Sequence, residues 1–491
     1  MQKIFKYLIY IILCLLFLFL IYSVFRSGYR YAFDNDELSH AQQTYLMIKG
    51  YKPYISFFTI YSPVFHWFLM PLFSFAGFSF TTISLARLFM IFLFVVRIIF
   101  SVSLAYFLLG KRIALIFLGL LLLDPFNVFT AMQVRPDNLM MTVFVCGLLV
   151  LFYALVFNRL QTTFFSGILL GLSLIISIKI APSILAVVLL VTVFHYSKNG
   201  FKTIAWFVSG IALIVVVFML YFIFNHSFTS MVQQLVIDSK TTNDSLLNPV
   251  HLGFFYQPNN AFIYGVAGKP LGWYLSLSLP IMAFFGFIIT TLAILRKKYL
   301  RHSIISMTIL TSIFIIQVLS LFLIHSVFIQ YYIPILWLQA LFAAIFIHHA
   351  LHFCETHFKR KLIFQSLLSV VFIVFAVSSY RANISRSQIS DFGVPSKISM
   401  EWQQIPEQTA TFPNLLFRPL AYPLTYGYFI GDIPSNILNR FPPITTVLEN
   451  KKVQYLLINS YVMSYFSPSV QSYIVKHYQK TSFNDELWIR N

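Results

Sequence analysis

Three carboxylates and an imidazole fall within seven residues of the segment Phe33-Asp34-Asn35-Asp36-Glu37-Leu38-Ser39-His40-Ala41. Such a set can take a proton from a hydroxyl or orient a nucleophile. The same residues also read as the start of a helix. Asp34 is a good N-cap, Glu37 stands three positions on, and acidic side chains favour a first turn. One aspartate can cap while its neighbour does chemistry, so spacing leaves both readings open. The short helix predicted from Asp36 to Ile48, closed by Lys49-Gly50, lies along the membrane and places Asp36, His40 and Gln43 on one face.

Other charged side chains stand at the ends of apolar segments: Arg87, Arg135-Pro136-Asp137, Lys179 and His325. The cations can hold an anion, and Arg87 and Lys179 can equally snorkel to the interface. Asp137 serves either a ligand or an ion pair with Arg135. His325 reads as a helix cap unless a ligand claims it. Arg97 differs from these because it falls near the middle of an apolar run. A charge there costs about 2.5–3.5 kcal/mol on insertion scales, so it should face the bundle interior, with Asp124 as a candidate partner.

These residues must be carried by membrane helices. Of 491 residues, 59% are hydrophobic and 10% charged, against about 25% charged in an ordinary soluble domain. Mean hydropathy is +0.80. A soluble enzyme with one anchor is excluded. Apolar segments long enough to cross as helices occur at about 7–25, 80–109, 113–131, 139–157, 163–178, 180–196, 203–224, 271–295, 303–324, 327–347 and 362–378. The first is too long for a signal-peptide core and reads as an uncleaved span entering from the cytoplasm. The cysteines, Cys14, Cys146 and Cys354, fall in or beside apolar segments, so neither a disulfide framework nor a cysteine metal site is expected.

The net charge of +19 would raise nucleic-acid binding in a soluble protein; here it is explained by topology. With the N-terminus inside, Lys3, Lys6, Lys111, Arg112, Arg159, Lys198, Lys202, Arg296, Lys297, Lys298, Arg301, Lys359, Arg360 and Lys361 all fall on short cytoplasmic stretches. Among the acids only Glu355 falls inside. Asp34, Asp36, Glu37, Asp124, Asp137, Asp238 and Asp244 gather toward the outer face. Asp391, Glu401, Glu407, Asp432, Glu449, Asp485 and Glu486 lie in an outer tail. The working side is predicted to be outside.

Two outer loops stand out, at about 26–79 and 225–270. In the first, the stretch from Val64 to Phe75 is too short and Pro-flanked for a span and reads as interfacial or re-entrant, held by Tyr54, Tyr61 and Trp67. The second is long enough to be functional. Met231, Leu235 and Val236 suggest a short amphipathic helix that gates or grips a lipid. The tail, about 380–491, reads as a small α/β domain for acceptor recognition or stabilisation. Its signals are a helix approach at Thr445-Thr446-Val447 and strands at Val453–Ile458 and Glu486–Ile489.

Taken together, Asp36-Glu37, His40-Ala41, Gly50, Pro53-Tyr54, Phe57-Phe58 and Pro63 resemble the first periplasmic loop of the GT-C glycosyltransferases. The similar branch holds the protein O-mannosyltransferase-like and aminoarabinose-transferase-like enzymes, glycosyltransferase families 39 and 83. Arg135-Pro136-Asp137, Gly171 through Lys179, and His325 with Tyr331 or Tyr332 and Pro334 extend the resemblance over roughly the first 340 residues. Some relatives carry Lys before the proline where this chain has Ser62.

The resemblance implies an α-helical polytopic membrane protein of GT-C type, with about eleven spans (1–379) and a small C-terminal periplasmic α/β domain (380–491). It implies transfer of a sugar from a polyprenyl-phosphate donor to a glycan, lipid or protein acceptor at the outer face of the cytoplasmic (inner) membrane. Asp36 would be the general base, with Glu37 beside it in the catalytic pair. Asp34, His40, Arg87, Arg135, Asp137, Lys179, His325 and Tyr332 would bind substrate. No P-loop or Rossmann fingerprint is present, which agrees with a membrane-dissolved donor. No cofactor is assigned. Asp36, Glu37 and His40 offer ligands for a divalent cation, but too few to define a metal site. The competing readings are a transporter or flippase of lipid-linked glycan, for which no internal repeat is found, and a non-catalytic scaffold.

Overall fold

The computed structural model describes residues 2–31, 33–194, 200–244, 251–266, 271–297, 301–358, 361–389, 409–411, 437, 440, 443–450, 453–458, 463–464, 466–481 and 487–491. Lys198, Lys298, Lys359, Arg360, Asp391, Glu401, Glu407, Asp432, Asp485 and Glu486 lie outside them, as do parts of the second outer loop at 245–250 and 267–270.

Ten of the eleven apolar segments fall mainly on one helix each, as far as they are described, and the segment 113–131 falls on two. In chain order, α1 (Gln2–Arg30) is followed by α2 (Asn35–Ile48) and α3 (Pro63–Ala76), which build the loop predicted to lie outside. The bundle continues with α4 (Phe80–Leu109), α5 (Lys111–Leu123), α6 (Pro125–Ala131), α7 (Pro136–Phe157), α8 (Leu160–Ile176), α9 (Ala181–Phe194) and α10 (Gly200–Phe224). The second outer loop holds α11 (Phe228–Val232), a π-helical turn (Gln233–Asp238), α12 (Ser239–Asp244), α13 (Leu252–Phe255) and α14 (Ala261–Tyr264). The remaining membrane helices are α15 (Leu271–Leu295), α16 (Arg301–Leu321), α17 (Ile333–His357) and α18 (Lys361–Arg386). Among the described residues, seven helices are long and apolar enough to cross a membrane, or eight with one bent pair. The chain is a multi-pass membrane protein.

The predicted span 113–131 is not one helix. It bends by 65° between α5 and α6. The cause is local: Asp124 leaves helical geometry, Pro125 follows at the first helical position, and the Asp124 carboxylate accepts from Phe126 N (3.1 Å) and Asn127 Nδ2 (2.9 Å). Those bonds also correct the expected Arg97–Asp124 pair. Arg97 is buried in α4 with its guanidinium 5.1 Å from the centre of the Phe94 ring, and its terminal nitrogens have no hydrogen-bond partner among the described residues. The predicted stretch 64–75 forms the helix α3, started by Ser62 as N-cap and Pro63, and ended at Gly77 with φ of 79°.

α7 and α17 are the most enclosed spans, α18 is the least, and α10 and α15 come next to it. Lipid tails supply no hydrophobic drive between helices, so close approach depends on small residues. Gly286 on α15 shows how close: an added Cβ would sit 1.8 Å from the Phe342 carbonyl of α17. Gly167 and Gly210 bring α8 and α10 together in the same way. At one face Arg112 and Glu355 form a two-pronged ion pair (2.9 and 2.6 Å), placing the start of α5 beside the end of α17. The opposite face gathers the first outer region, the second outer loop and the ends of α7, α8 and α9.

The tail contains β1 (Thr409–Thr411), α19 (Ile444–Asn450), β2 (Tyr455–Leu457), α20 (Pro468–His477), β3 (Tyr478–Lys480) and β4 (Leu487–Arg490). The sheet order is β1-β2-β4-β3, with β1 parallel to β2 and the other pairs antiparallel. Its core of Leu448, Leu456, Ile458, Phe466, Ile474 and Tyr478 includes one residue from far away: Phe58 of the first outer region, fully buried.

Candidate active site

The acidic segment caps a helix and also places one carboxylate on a cavity. Asp34 is extended (φ −93°, ψ 164°) and caps α2: its Oδ1 accepts from Glu37 N (2.9 Å), while Glu37 Oε2 accepts from Asp34 N (3.1 Å). This is a complete capping box. Glu37 then accepts from Arg87 Nε (2.7 Å), Arg87 Nη2 and Val134 N (2.9 Å). Arg87 also donates to the carbonyls of Gly28 and Tyr31 at the end of α1, and its guanidinium lies 4.4 Å from the centre of the Phe33 ring. Neither side chain of this ion pair is exposed. The pair ties α1, α2, α4 and the turn before α7 into one block. Two expectations are thereby corrected: Glu37 and Arg87 do not reach the cavity, because each is consumed by the other and by backbone groups.

Asp36 precedes Glu37 by one helical position, about 100° around the axis, and so points to a different side of α2. Its Oδ2 accepts from Arg135 Nη1. Arg135 is extended because Pro136 follows it and opens α7, and this geometry aims its fork back at α2. Its Nη2 also donates to Asp34 Oδ2 (3.1 Å), which further accepts from Gln133 Nε2 (2.8 Å). Burial works against the Arg135 charge, but Asp34, Asp36, Tyr61 and Asp137 together outweigh it and hold its pKa above the ordinary arginine value.

In the first turn of α7, Asp137 accepts from Lys179 Nζ (3.1 and 3.4 Å). Lys179 sits in a single 3-10 turn, Ile178–Ile180, between α8 and α9, and its Nζ is 4.4 Å from the centre of the Tyr331 ring.

Asp36, His40, Arg135, Asp137 and Lys179 line one cavity of about 360 Å³. Tyr61, Ser62 and Ser177 share its wall, and Ser239, Thr242, Asn243, Gln330 and Tyr331 supply neutral hydrogen-bonding groups. Asp36 retains 27% side-chain exposure against 2% for Asp137, so the carboxylate of α2 is the accessible one. His40 Nδ1 lies 3.1 Å from His66 Nε2, and its ring is 4.5 Å from that of Tyr61. Burial, then His66 and the charges of Arg135 and Lys179, push the His40 pKa well below the usual histidine value. It is a neutral imidazole.

His325 is exposed and does not line the cavity. Tyr332 is buried in an apolar cluster with Phe126 and Leu336, and its neighbour Tyr331 takes the cavity position instead. Asp36, Glu37 and His40 do not converge, since Glu37 turns to Arg87. Among the described residues no group of three or more His, Cys, Asp or Glu side chains is placed to hold a metal ion.

Several participants escaped the sequence reading. His66 is hidden in an apolar helix. Ser239, Thr242 and Asn243 follow a π-turn that no periodicity announces. Gln133 signals itself only as a polar residue beside Arg135. Gln43, noted for sharing a face with Asp36, accepts from Thr59 Oγ1 (2.8 Å) and so supports the loop carrying Tyr61.

No family model matches the chain, and no curated protein sequence matches it. Solved structures do. ArnT from Cupriavidus metallidurans bound to undecaprenyl phosphate superposes with a TM-score of 0.62 at 13% identity, covering 98% of this chain and 97% of that one. The apo state of the same protein gives 0.62 at 13% identity, covering 100% and 98%. An oligosaccharyltransferase from Archaeoglobus fulgidus tethered to an acceptor peptide gives 0.53 at 11% identity, covering 95% of this chain and 72% of that one. The chain therefore has the GT-C fold.

Proposed function

We propose that this protein is an integral-membrane glycosyltransferase that moves a sugar from a polyprenyl-phosphate donor to an acceptor hydroxyl. The observation that carries the reading is the meeting of Asp36 with Arg135 and Lys179 in one cavity of a GT-C fold. Asp36 takes the acceptor proton as the oxygen attacks the anomeric carbon of the sugar. The bond from that carbon to the phosphate oxygen breaks, and the polyprenyl phosphate leaves with the bonding electrons. A positioned carboxylate contributes about 10²–10⁴-fold to such a step. Arg135 and Lys179 stabilise the charge gathering on the departing phosphate. Glu37 and Arg87 hold the block from which Asp36 projects, and His40, neutral, donates or accepts a hydrogen bond at the acceptor side.

A lipid donor is supported by a second cavity of about 230 Å³. Pro182, Leu321, Leu323 and Ile324 line it, and it shares Ile178, Lys179 and Tyr331 with the first. An apolar chain can run there while its phosphate meets Lys179. By the charge pattern, the site faces outward from the cytoplasmic membrane, with the N-terminus inside and the tail outside. The test is transfer by the purified chain from isolated polyprenyl-phosphate sugars, alongside mass analysis of envelope glycolipids with and without the protein. No transfer from any polyprenyl-phosphate sugar and no altered glycolipid would refute the reading.

A further inference from the structure

The wall of the cavity formed by the second outer loop depends on an unusual backbone. Gln233–Asp238 is wound as a π-helix between α11 and α12. A π-turn carries more residues per turn than an α-turn, and such insertions recur at functional sites. Relaxation to α would rotate all that follows by about 100° per residue dropped, turning Ser239, Thr242 and Asn243 off the cavity.

Among the described residues, four hydrogen bonds hold the turn. Gln234 accepts from Thr59 N (3.1 Å) and donates to the Tyr54 carbonyl (3.0 Å). Asp238, buried, accepts from Gln233 Nε2 (2.9 Å) within the turn itself. Its other oxygen accepts from Arg440 Nη2, a residue of the tail. The tail grips the opposite wall as well, since Phe58, next to Thr59 and three residues before Tyr61, is buried in the tail core. Among the described residues the tail thus touches both walls of the cavity, one through Arg440 on Asp238 and the other through Phe58 and Ile60 in its core.

We infer that Arg440 is a positioning residue for the transfer site: its hold on Asp238 keeps the π-turn wound, and the turn keeps Ser239, Thr242 and Asn243 facing the cavity. The inference rests on the proposed function only for what Ser239 and Thr242 do there, which is to meet the hydroxyls and phosphate oxygens of the donor, while Asn243 pairs its amide with the Ser326 backbone. It gives the tail a part in the site beyond stability.

The experiment uses the full chain in lipid nanodiscs, as wild type, Arg440→Ala and Arg440→Lys. Amide hydrogen exchange is followed across 233–244, and binding is measured with undecaprenyl phosphate as probe. Arg440→Ala should speed exchange across 233–244 and weaken probe binding, each about fivefold, the scale of losing one partly exposed ion pair. Arg440→Lys should keep both near wild type. Unchanged exchange at 233–244 in Arg440→Ala overturns the inference, and so does faster exchange with unaltered probe binding. If the wild type itself fails to bind the probe while exchange responds to Arg440→Ala, the clamp stands and the lipid-carrier reading falls.

Discussion

Lys179 Nζ and Asp137 Oδ1 lie 3.1 Å apart across two helix ends, one a 3-10 turn and the other the first turn of α7. Arg135 is likewise engaged with Asp34 and Asp36. Both cations are thus oriented in advance by carboxylates and need little reorganisation to meet a phosphate. Removing one should be felt in binding. Lys179→Ala is expected to weaken undecaprenyl phosphate binding by about tenfold or more, on the scale of 1.5–3 kcal/mol for a hydrogen bond to a charged group. Calorimetry in nanodiscs checks this, and equal affinity would place the phosphate elsewhere.

Asp36→Asn should abolish transfer, with kcat falling by about 10² or more. Insertion and thermal stability should hold, because Arg135 retains Asp34. Initial rates compared with melting in detergent separate the two effects. Retained transfer would move the base off Asp36.

Glu37→Gln predicts the reverse profile. It strips the charge from a fully buried pair and leaves Arg87 uncompensated among backbone carbonyls. Breaking such a pair costs about 3–5 kcal/mol, so melting should drop sharply and yield with it. An enzyme that melts like wild type but transfers nothing would show Glu37 acting in the reaction itself.

The depressed pKa of His40 gives stability a defined pH dependence. The folded state binds that proton less readily than the unfolded chain, whose imidazole titrates near 6.5. Stability from this group is therefore full above about pH 6.5 and declines as pH falls below it, by about 1.4 kcal/mol per pH unit for one site. Melting followed from pH 8 to pH 5 should show the decline, and His40→Gln should make it shallower, with the remainder supplied by His66, which burial pushes down to about 3. A variant with the wild-type slope would assign the effect to another group.

The carboxylate pattern at Asp34 to Glu37 is legible because a capping box is a local signal, and so are the cation at Arg135 and the helix end at Lys179. What could not be read was direction. Asp36 and Glu37 are neighbours in sequence, and only tertiary packing decides that one meets the cavity and the other Arg87. Tyr331 and Tyr332 pose the same problem inside a 3-10 turn, where the turn itself was not predicted. The bend at Asp124-Pro125 carried a clear cap signal, yet the apolar run around it reads as one span. Arg440 contacts Asp238 across 202 residues, and no local pattern in a sequence reports a pairing of that range.

The length of α8 has a consequence for the bilayer itself. At 17 residues it measures about 26 Å, while a typical hydrocarbon layer is about 30 Å thick. Lys179 stands just past its end. Lipid beside so short a helix is expected to dimple, or headgroups to sink, to meet the polar rim. On the proposed function, a carrier arriving there would have its phosphate already lowered to the depth of the ammonium, with no need to be hoisted clear of its neighbours.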